Sequence, residues 1–190
     1  MRLAVMAIAA ASLAAFNVAC GNTEENAPAD DKKGTVVEWA GMKSAAPADW
    51  KEEQPSSNLR QGQFKVPKAD GDKADAEVAI FLSPGGGGVE ANLKRQLDKF
   101  QPAAGKDKVD EKKDKIKVGT YDAVYQDVTG TFLKKAFPMA KESTPTPGYR
   151  QLYVIFETKD GAVASLWLLG PEKTVEKQKE AFDEWVKNFK

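Results

Sequence analysis

Three observations on this 190-residue chain predict an α+β domain, an antiparallel sheet of about six to seven strands with helices packed on it. Apolar and β-branched residues recur with a period of two in several short runs bounded by Gly, Pro and Asp turns. Two stretches, Val89 to Phe100 and Thr174 to Lys190, carry apolar residues at helical spacing instead. The elements then run in the order strands, helix after a glycine loop, further strands, final helix, which suits helices laid on an antiparallel sheet.

Val36 to Trp39 reads as a short strand, and Ala45-Ala46-Pro47-Ala48-Asp49-Trp50 as a turn ending in an aromatic core plug. In Leu59 to Val66 the period of two places Arg60, Gly62, Phe64 and Val66 on one face, and Pro67 helps end the strand. Ala76 to Leu82 has Val78, Ile80 and Leu82 on one side and Ala79 and Phe81 on the other. Apolar on both faces, it is expected in the middle of the sheet. Val89, Leu93, Leu97 and Phe100 form one helical stripe. Lys106 to Lys117 alternates charge sign and reads as a solvated hairpin arm. Tyr121 to Phe132 suits a strand of mixed burial. Tyr149 to Thr158 and Ala162 to Leu169 are strong strands joined by Lys159-Asp160-Gly161, a hairpin signal. Behind Gly170-Pro171, Val175, Phe182, Trp185, Val186 and Phe189 trace the apolar stripe of the last helix. Thr174 is its candidate cap, with Lys177 in place of a reciprocal acid.

The chain opens on a different chemistry. Arg2 precedes an apolar, alanine-rich run from Leu3 to Phe16, and Asn17-Val18-Ala19 leads to Cys20, the only cysteine. This resembles a bacterial lipoprotein signal peptide and its lipobox, although Asn17 stands where leucine is usual. The resemblance implies cleavage before Cys20 and lipidation of its thiol. The alternative is an ordinary signal peptide cut at a small-x-small site. Either way the organisation is a leader over 1–19, a polar tether over 20–35 (GNTEENAPADDKKG at its centre), and one globular domain over 36–190. Gly21 and Asn22 follow the cysteine with no acidic retention signal. The expected place is therefore the periplasmic side of the envelope, with the outer membrane favoured.

Composition removes several functions. The chain carries 28 basic and 28 acidic residues, and beyond the leader only Arg60, Arg95 and Arg150 as arginines. Nucleic acid binding, which relies on clustered cations, is not expected. Histidine is absent, and with it the commonest general base and transition-metal ligand. Without cysteine beyond position 20, the domain has no disulfide, thiol nucleophile or cysteine metal cluster to offer.

The remaining motifs carry weak chemistry. Ser83-Pro84-Gly85-Gly86-Gly87-Gly88 lies between a strand and a helix, where phosphate loops use backbone amides. It lacks the Lys-Ser or Lys-Thr of a Walker loop, so Gly85, Gly86, Gly87 and Gly88 stand as a minor anion-loop candidate beside the reading of a flexible connection. Arg95, two turns up the helix, is expected in a surface or inter-element salt bridge. Asp70, Asp72 and Asp75 have calcium-loop spacing but no bidentate acid at the twelfth position, and read as a solvated turn. Asp122 and Asp127 fall on opposite faces of their strand and cannot share a reacting bond. Trp39, Trp50, Trp167 and Trp185 are expected in the core. Lys134 to Gly148 is a long excursion rich in Pro and Thr, and its Lys134, Phe137, Pro138, Met139, Thr146 and Pro147 form the candidate partner-docking flap.

Pro47-Ala48-Asp49-Trp50, Leu59 to Val66, the segment from Gly88-Val89-Glu90-Ala91 to Arg95, and Leu168-Leu169-Gly170-Pro171 before a helix ending Phe182-Asp183-Glu184-Trp185-Val186 together resemble the PsbP-like family. The layout is also similar to small exported proteins of planctomycete-type bacteria. The resemblance implies a docking module and not a catalyst. The expected function is thus a non-enzymatic accessory lipoprotein, without cofactor or metal, that is held by a lipid anchor and docks to a protein. The alternatives are a carrier of a small apolar ligand in a cavity lined by Phe81, Leu93 and Trp167, and a nucleotide or phosphate binder using the glycine loop.

Overall fold

The computed structural model describes residues 34–137 and 140–190. The leader, Cys20, nearly all of the tether, Pro138 and Met139 lie outside the described residues. Within them the chain forms β1 (Val36–Trp39), β2 (Met42–Ala45), β3 (Lys51–Glu52), β4 (Arg60–Val66), β5 (Ala76–Pro84), α1 (Val89–Leu97), β6 (Phe100–Gln101), β7 (Asp110–Val118), β8 (Tyr121–Lys134), β9 (Thr144–Glu157), β10 (Ala162–Pro171) and α2 (Glu172–Lys187). No helix among the described residues is long and apolar enough to cross a membrane.

The main sheet is antiparallel throughout, in the order β3-β4-β5-β10-β9-β8-β6, with β7 also paired to β8. From the centre at β5 the chain crosses one face as α1. It reaches the far edge at β6 and β7, then returns as a meander to close β10 against β5. β7, the charged segment, is an exposed edge strand whose lysines discourage pairing with another chain. At eight strands the sheet exceeds the six to seven expected. The additions are the two-residue strands β3 and β6, too short to show a period.

One face of the sheet carries the core. Phe64, Val66, Val78, Ile80, Leu152, Val154, Phe156, Leu166 and Leu168 alternate inward toward α2, which contributes Val175, Phe182, Trp185 and Val186. Trp185, 2% exposed, meets Trp50 edge-on at 5.4 Å between ring centroids and lies within 6.3 Å of Phe64, Phe182 and Phe189. Such edge-to-face contacts add to the apolar burial that drives folding. The β1-β2 hairpin closes the end of this layer. Ala40 and Gly41 both adopt positive φ (50° and 77°), the requirement of its two-residue turn. Trp39 enters the core against Phe156 and Phe189, while Lys43 exchanges backbone hydrogen bonds with Lys190 and the Ser44 hydroxyl donates to the Trp185 carbonyl.

The opposite face holds α1 and a smaller cluster of Leu93, Tyr153, Ile155 and Val163, with Val89, Val124 and Trp167 partly buried around it. Here three local readings change. A β-bulge between Arg60 and Gly62 sets Arg60 opposite Phe81, so Arg60 lies on the α1 face while Phe64 and Val66 lie on the α2 face. An extra residue inverts the period of two, and composition does not announce it. The helix ends at Leu97, and Phe100 begins β6, paired to Phe132 of β8. The chain can pass there because Gly130 has no side chain: a Cβ would lie 2.5 Å from the Gln101 carbonyl oxygen. Lastly, α2 starts at Glu172, placing Thr174 inside the first turn and not at the cap. Asp72, 102 residues earlier, supplies the cap: its Oδ2 accepts from the Thr174 N–H at 2.9 Å and from the Thr174 hydroxyl at 2.6 Å.

Candidate functional site

On the α2 face the ionisable groups are matched to one another. Arg150 of β9 donates from Nε and Nη2 to both oxygens of Asp127 on β8, at 2.8 and 2.6 Å, and from Nη1 to Glu176 of α2. The Asp127 hydrogen bonds hold the guanidinium above its ordinary pKa. The Tyr125 hydroxyl donates to Asp183 at 2.8 Å, and Lys179 pairs with the same carboxylate at 2.5 Å. Burial first, and then Asp183, push the Tyr125 phenol above its usual range. These groups tie α2 to the sheet, and Asp127 is engaged in that tie while Asp122 pairs with Lys117 at the surface. Asp72 caps α2, and Asp75 accepts from the Lys68 amide at 3.0 Å and pairs with Lys65 at 3.1 Å. Lys65 first, then that amide, hold the Asp75 carboxyl below its ordinary range. Two of the three carboxylates with calcium-loop spacing are therefore committed to the fold.

Lys134 to Gly148 departs from the excursion it was expected to be. β8 and β9 continue their pairing through Phe132↔Thr146, Leu133↔Pro145 and Lys134↔Thr144, so both ends of this segment are strand. β10 leaves the sheet earlier, at Pro171↔Tyr149, and the two strands run on as an arm braced at its root by β6. The Phe132 ring stacks on Tyr149 at 5.8 Å and contacts Phe100 at 5.3 Å. Beyond Lys134, at the arm's tip, Phe137 is 61% exposed, while Thr146 and Pro147 lie on the arm itself.

The α1 face has a different character. Beneath the helix lies a polar seam in which the Gln126 amide donates to the Leu93 carbonyl (3.1 Å) and to Glu111 (2.6 Å), and the Gln151 amide donates to Gln96 Oε1 (3.1 Å). The side-chain oxygens of Gln126 and Gln151 are buried without a partner. Beside the seam Trp167 and Phe81 pack at 4.7 Å, with Trp167 also lying against the cluster around Leu93. Lys99 Nζ stands 4.6 Å from the Trp167 ring centroid and the Arg60 guanidinium 5.7 Å from it, both within cation–π range. The Trp167 Nε1–H is buried and unpartnered.

The charges in this cluster do not balance. Arg60 pairs with Glu77 at 2.9 Å. Lys99 donates to Gln96 Oε1 at 2.7 Å, and Arg95 to Asn92 Oδ1 at 2.6 Å. Among the described residues neither Lys99 nor Arg95 has a carboxylate within salt-bridge distance. Burial first, then the charges of Arg95 and Arg60, bring the Lys99 ammonium down to about 8. Instead of forming the expected salt bridge, Arg95 turns back toward the glycine loop, its Nη2 3.7 Å from where a Cβ on Gly87 would stand. The loop itself is held by Asn92, whose amide donates to the Gly86 and Gly88 carbonyls at 2.7 Å each. Gly85, Gly87 and Gly88 take positive φ in making this path. Trp39, Trp50 and Trp185 are core residues, whereas Trp167 is half-buried at this cluster. The trio named as a cavity lining divides: Leu93 is fully buried on the sheet-facing side of α1, and Phe81 and Trp167 pack on each other with cations against their rings. Lys99 was not singled out by pattern, and its only sequence signal is a lysine following the helix.

The architecture is PsbP-like. Over 90% of this chain and 99% of the other, the fold is similar to that of cyanobacterial PsbP (CyanoP) from Synechocystis, at a TM-score of 0.50 and 12% identity. It also aligns with LpqN, involved in cell envelope biogenesis of Mycobacterium tuberculosis (TM-score 0.46, 14% identity, 87% of this chain and 86% of that one). A third similar structure is a Pseudomonas aeruginosa protein of unknown function (TM-score 0.45, 18% identity, 80% and 93%). No protein-family model and no curated protein matches the chain.

Proposed function

We propose that this chain is a non-enzymatic accessory lipoprotein of the cell envelope, anchored through Cys20, facing the periplasm, and docking to a protein partner with the β8-β9 arm. The observation that carries the reading is the arm: two strands that outrun their neighbours, braced by an aromatic stack, with an exposed phenylalanine at the tip. An exposed aromatic on a stiffened projection is the kind of anchor that fills a partner's pocket at low entropic cost. The ionic groups of the α2 face support the same reading, since Arg150, Asp127, Tyr125 and Asp183 fasten the helix to the sheet. The segment Met1 to Cys20 supports export and lipidation, and the absence of an acid at Gly21 and Asn22 favours the outer membrane.

Affinity purification from membranes tests this with wild type, Cys20→Ala and Phe137→Asp, read by intact mass and by co-purifying protein. A lipidated wild type that brings down one partner, lost in Phe137→Asp while the fold is kept, is the expected result. An unlipidated wild type overturns the anchor. Equal capture by Phe137→Asp overturns the arm.

A further inference from the structure

On the α1 face the polar inventory has donors without acceptors. Lys99 and Arg95 carry charges that no carboxylate of the described residues answers, and the Trp167 indole N–H, buried beside Lys99, donates to nothing. A buried unpaired donor is costly, as is a cation held among cations. The Lys99 ammonium shows the cost in its lowered pKa of about 8. On the α2 face the half-buried cation is matched closely, at Asp127–Arg150–Glu176, although the Trp185 indole N–H there is also buried without a partner. At one half-buried ring Lys99 and the Trp167 N–H therefore lack an acceptor, and Arg95, exposed one turn back along α1, has no anion of its own.

We propose that the Trp167–Phe81 floor, with Lys99 and Arg60 against its rings and Arg95 at its rim, is a binding site for a carboxylate presented by an acidic peptide segment. Arg60 already donates to a carboxylate, that of Glu77 at 2.9 Å, which shows that this corner takes an oxyanion. An incoming acid side chain is an acceptor-only group, so it answers Lys99 and Arg95 without adding a donor. Its methylene stem has the exposed parts of the Trp167 and Phe81 rings to lie on. The neighbouring glycine loop faces Asn92 with its carbonyls, and no Walker-type lysine follows it, so the donor set matches a carboxylate better than a phosphate. This site lies apart from the arm's tip and goes beyond arm-mediated docking, and Phe137→Asp leaves it unchanged.

The test is a titration of the full-length, 15N-labelled lipoprotein in detergent micelles, following the Trp167 indole resonance assigned through Trp167→Phe. The probes are the blocked peptide Ala-Glu-Glu-Ala, its Ala-Gln-Gln-Ala analogue, and inorganic phosphate. The indoles of Trp39, Trp50 and Trp185 report the fold in every variant. The expected result is a saturable shift of the Trp167 signal with the glutamate peptide alone, weakened about tenfold or more in Lys99→Met and in Arg95→Gln. Arg95 is exposed, so Arg95→Gln keeps the test sound should Lys99→Met fail to fold. No shift at about 5 mM peptide, or an equal shift with the glutamine analogue, overturns the site. A stronger response to inorganic phosphate overturns the carboxylate assignment.

Discussion

The two faces of one sheet are built to opposite standards. Against α2 lie nine of the twelve largest fully buried side chains, among them Trp39, Phe64, Phe156, Phe182 and Trp185, and Arg150 and Lys179 both find carboxylates, although the Trp185 indole N–H is buried without a partner. Against α1 the apolar cluster is four residues, two glutamine oxygens and an indole N–H are buried unpaired, and two cations lack an anion. Packing of the first kind stabilises; the second kind costs stability and is retained where something else is to be met. The difference teaches that in this fold the helix that follows the glycine loop is a lighter cover beside an exposed, cation-rich patch, while the C-terminal helix holds the structure together.

If that contrast is right, the α2 face breaks first and hardest. Trp185→Ala removes the ring at the centre of the aromatic cluster and is expected to cost about 3–5 kcal/mol, a large share of a marginal total, measured by urea unfolding. Next comes Arg150→Met, which leaves Asp127 and Glu176 without their cation. A loss of about 2–3 kcal/mol is expected, and in the double variant with Asp127→Ala part of it should return, because the remaining carboxylate is no longer stranded. Smaller again is Asp72→Ala, which uncaps α2 across 102 residues of sequence and should cost about 1 kcal/mol. On the α1 face the sign reverses, and removing the Lys99 charge is expected to stabilise.

Much of the stable face was legible in sequence. Its strands alternate cleanly, Asp160-Gly161 marks the hairpin, and the stripe Val175, Phe182, Trp185, Val186 and Phe189 declares α2, because short-range patterning follows directly from burial. The α1 face was not. Arg60 reached it only through a bulge, Arg95 by folding back toward Gly87, and Lys99 by ending a helix one turn earlier than its stripe suggested. Asp72 read as a turn acid because its partner Thr174 lies in a helix far along the chain. Each of these depends on where distant segments meet, and no local period encodes that. Trp167 looked like the other three tryptophans for the same reason: its neighbours on β5 and β4 are set by register, not by its own surroundings in sequence.

The most direct measurement is the urea midpoint of Lys99→Met against wild type, taken at pH 7 and again near pH 10. The charges that face Lys99 are Arg95 from α1, Arg60 from β4, and Glu77 of β5 through its pair with Arg60. Its pKa is lower folded, about 8, than unfolded, 10.5. Between those values the unfolded chain binds the extra proton, so stability rises with pH across that window and the charged amine is a burden below it. The account predicts that Lys99→Met is more stable than wild type at pH 7, by about 1–2 kcal/mol, and that the gap narrows toward pH 10. A variant less stable than wild type at pH 7 would mean that the cation holds the α1 face together, and the contrast between the two faces would fail.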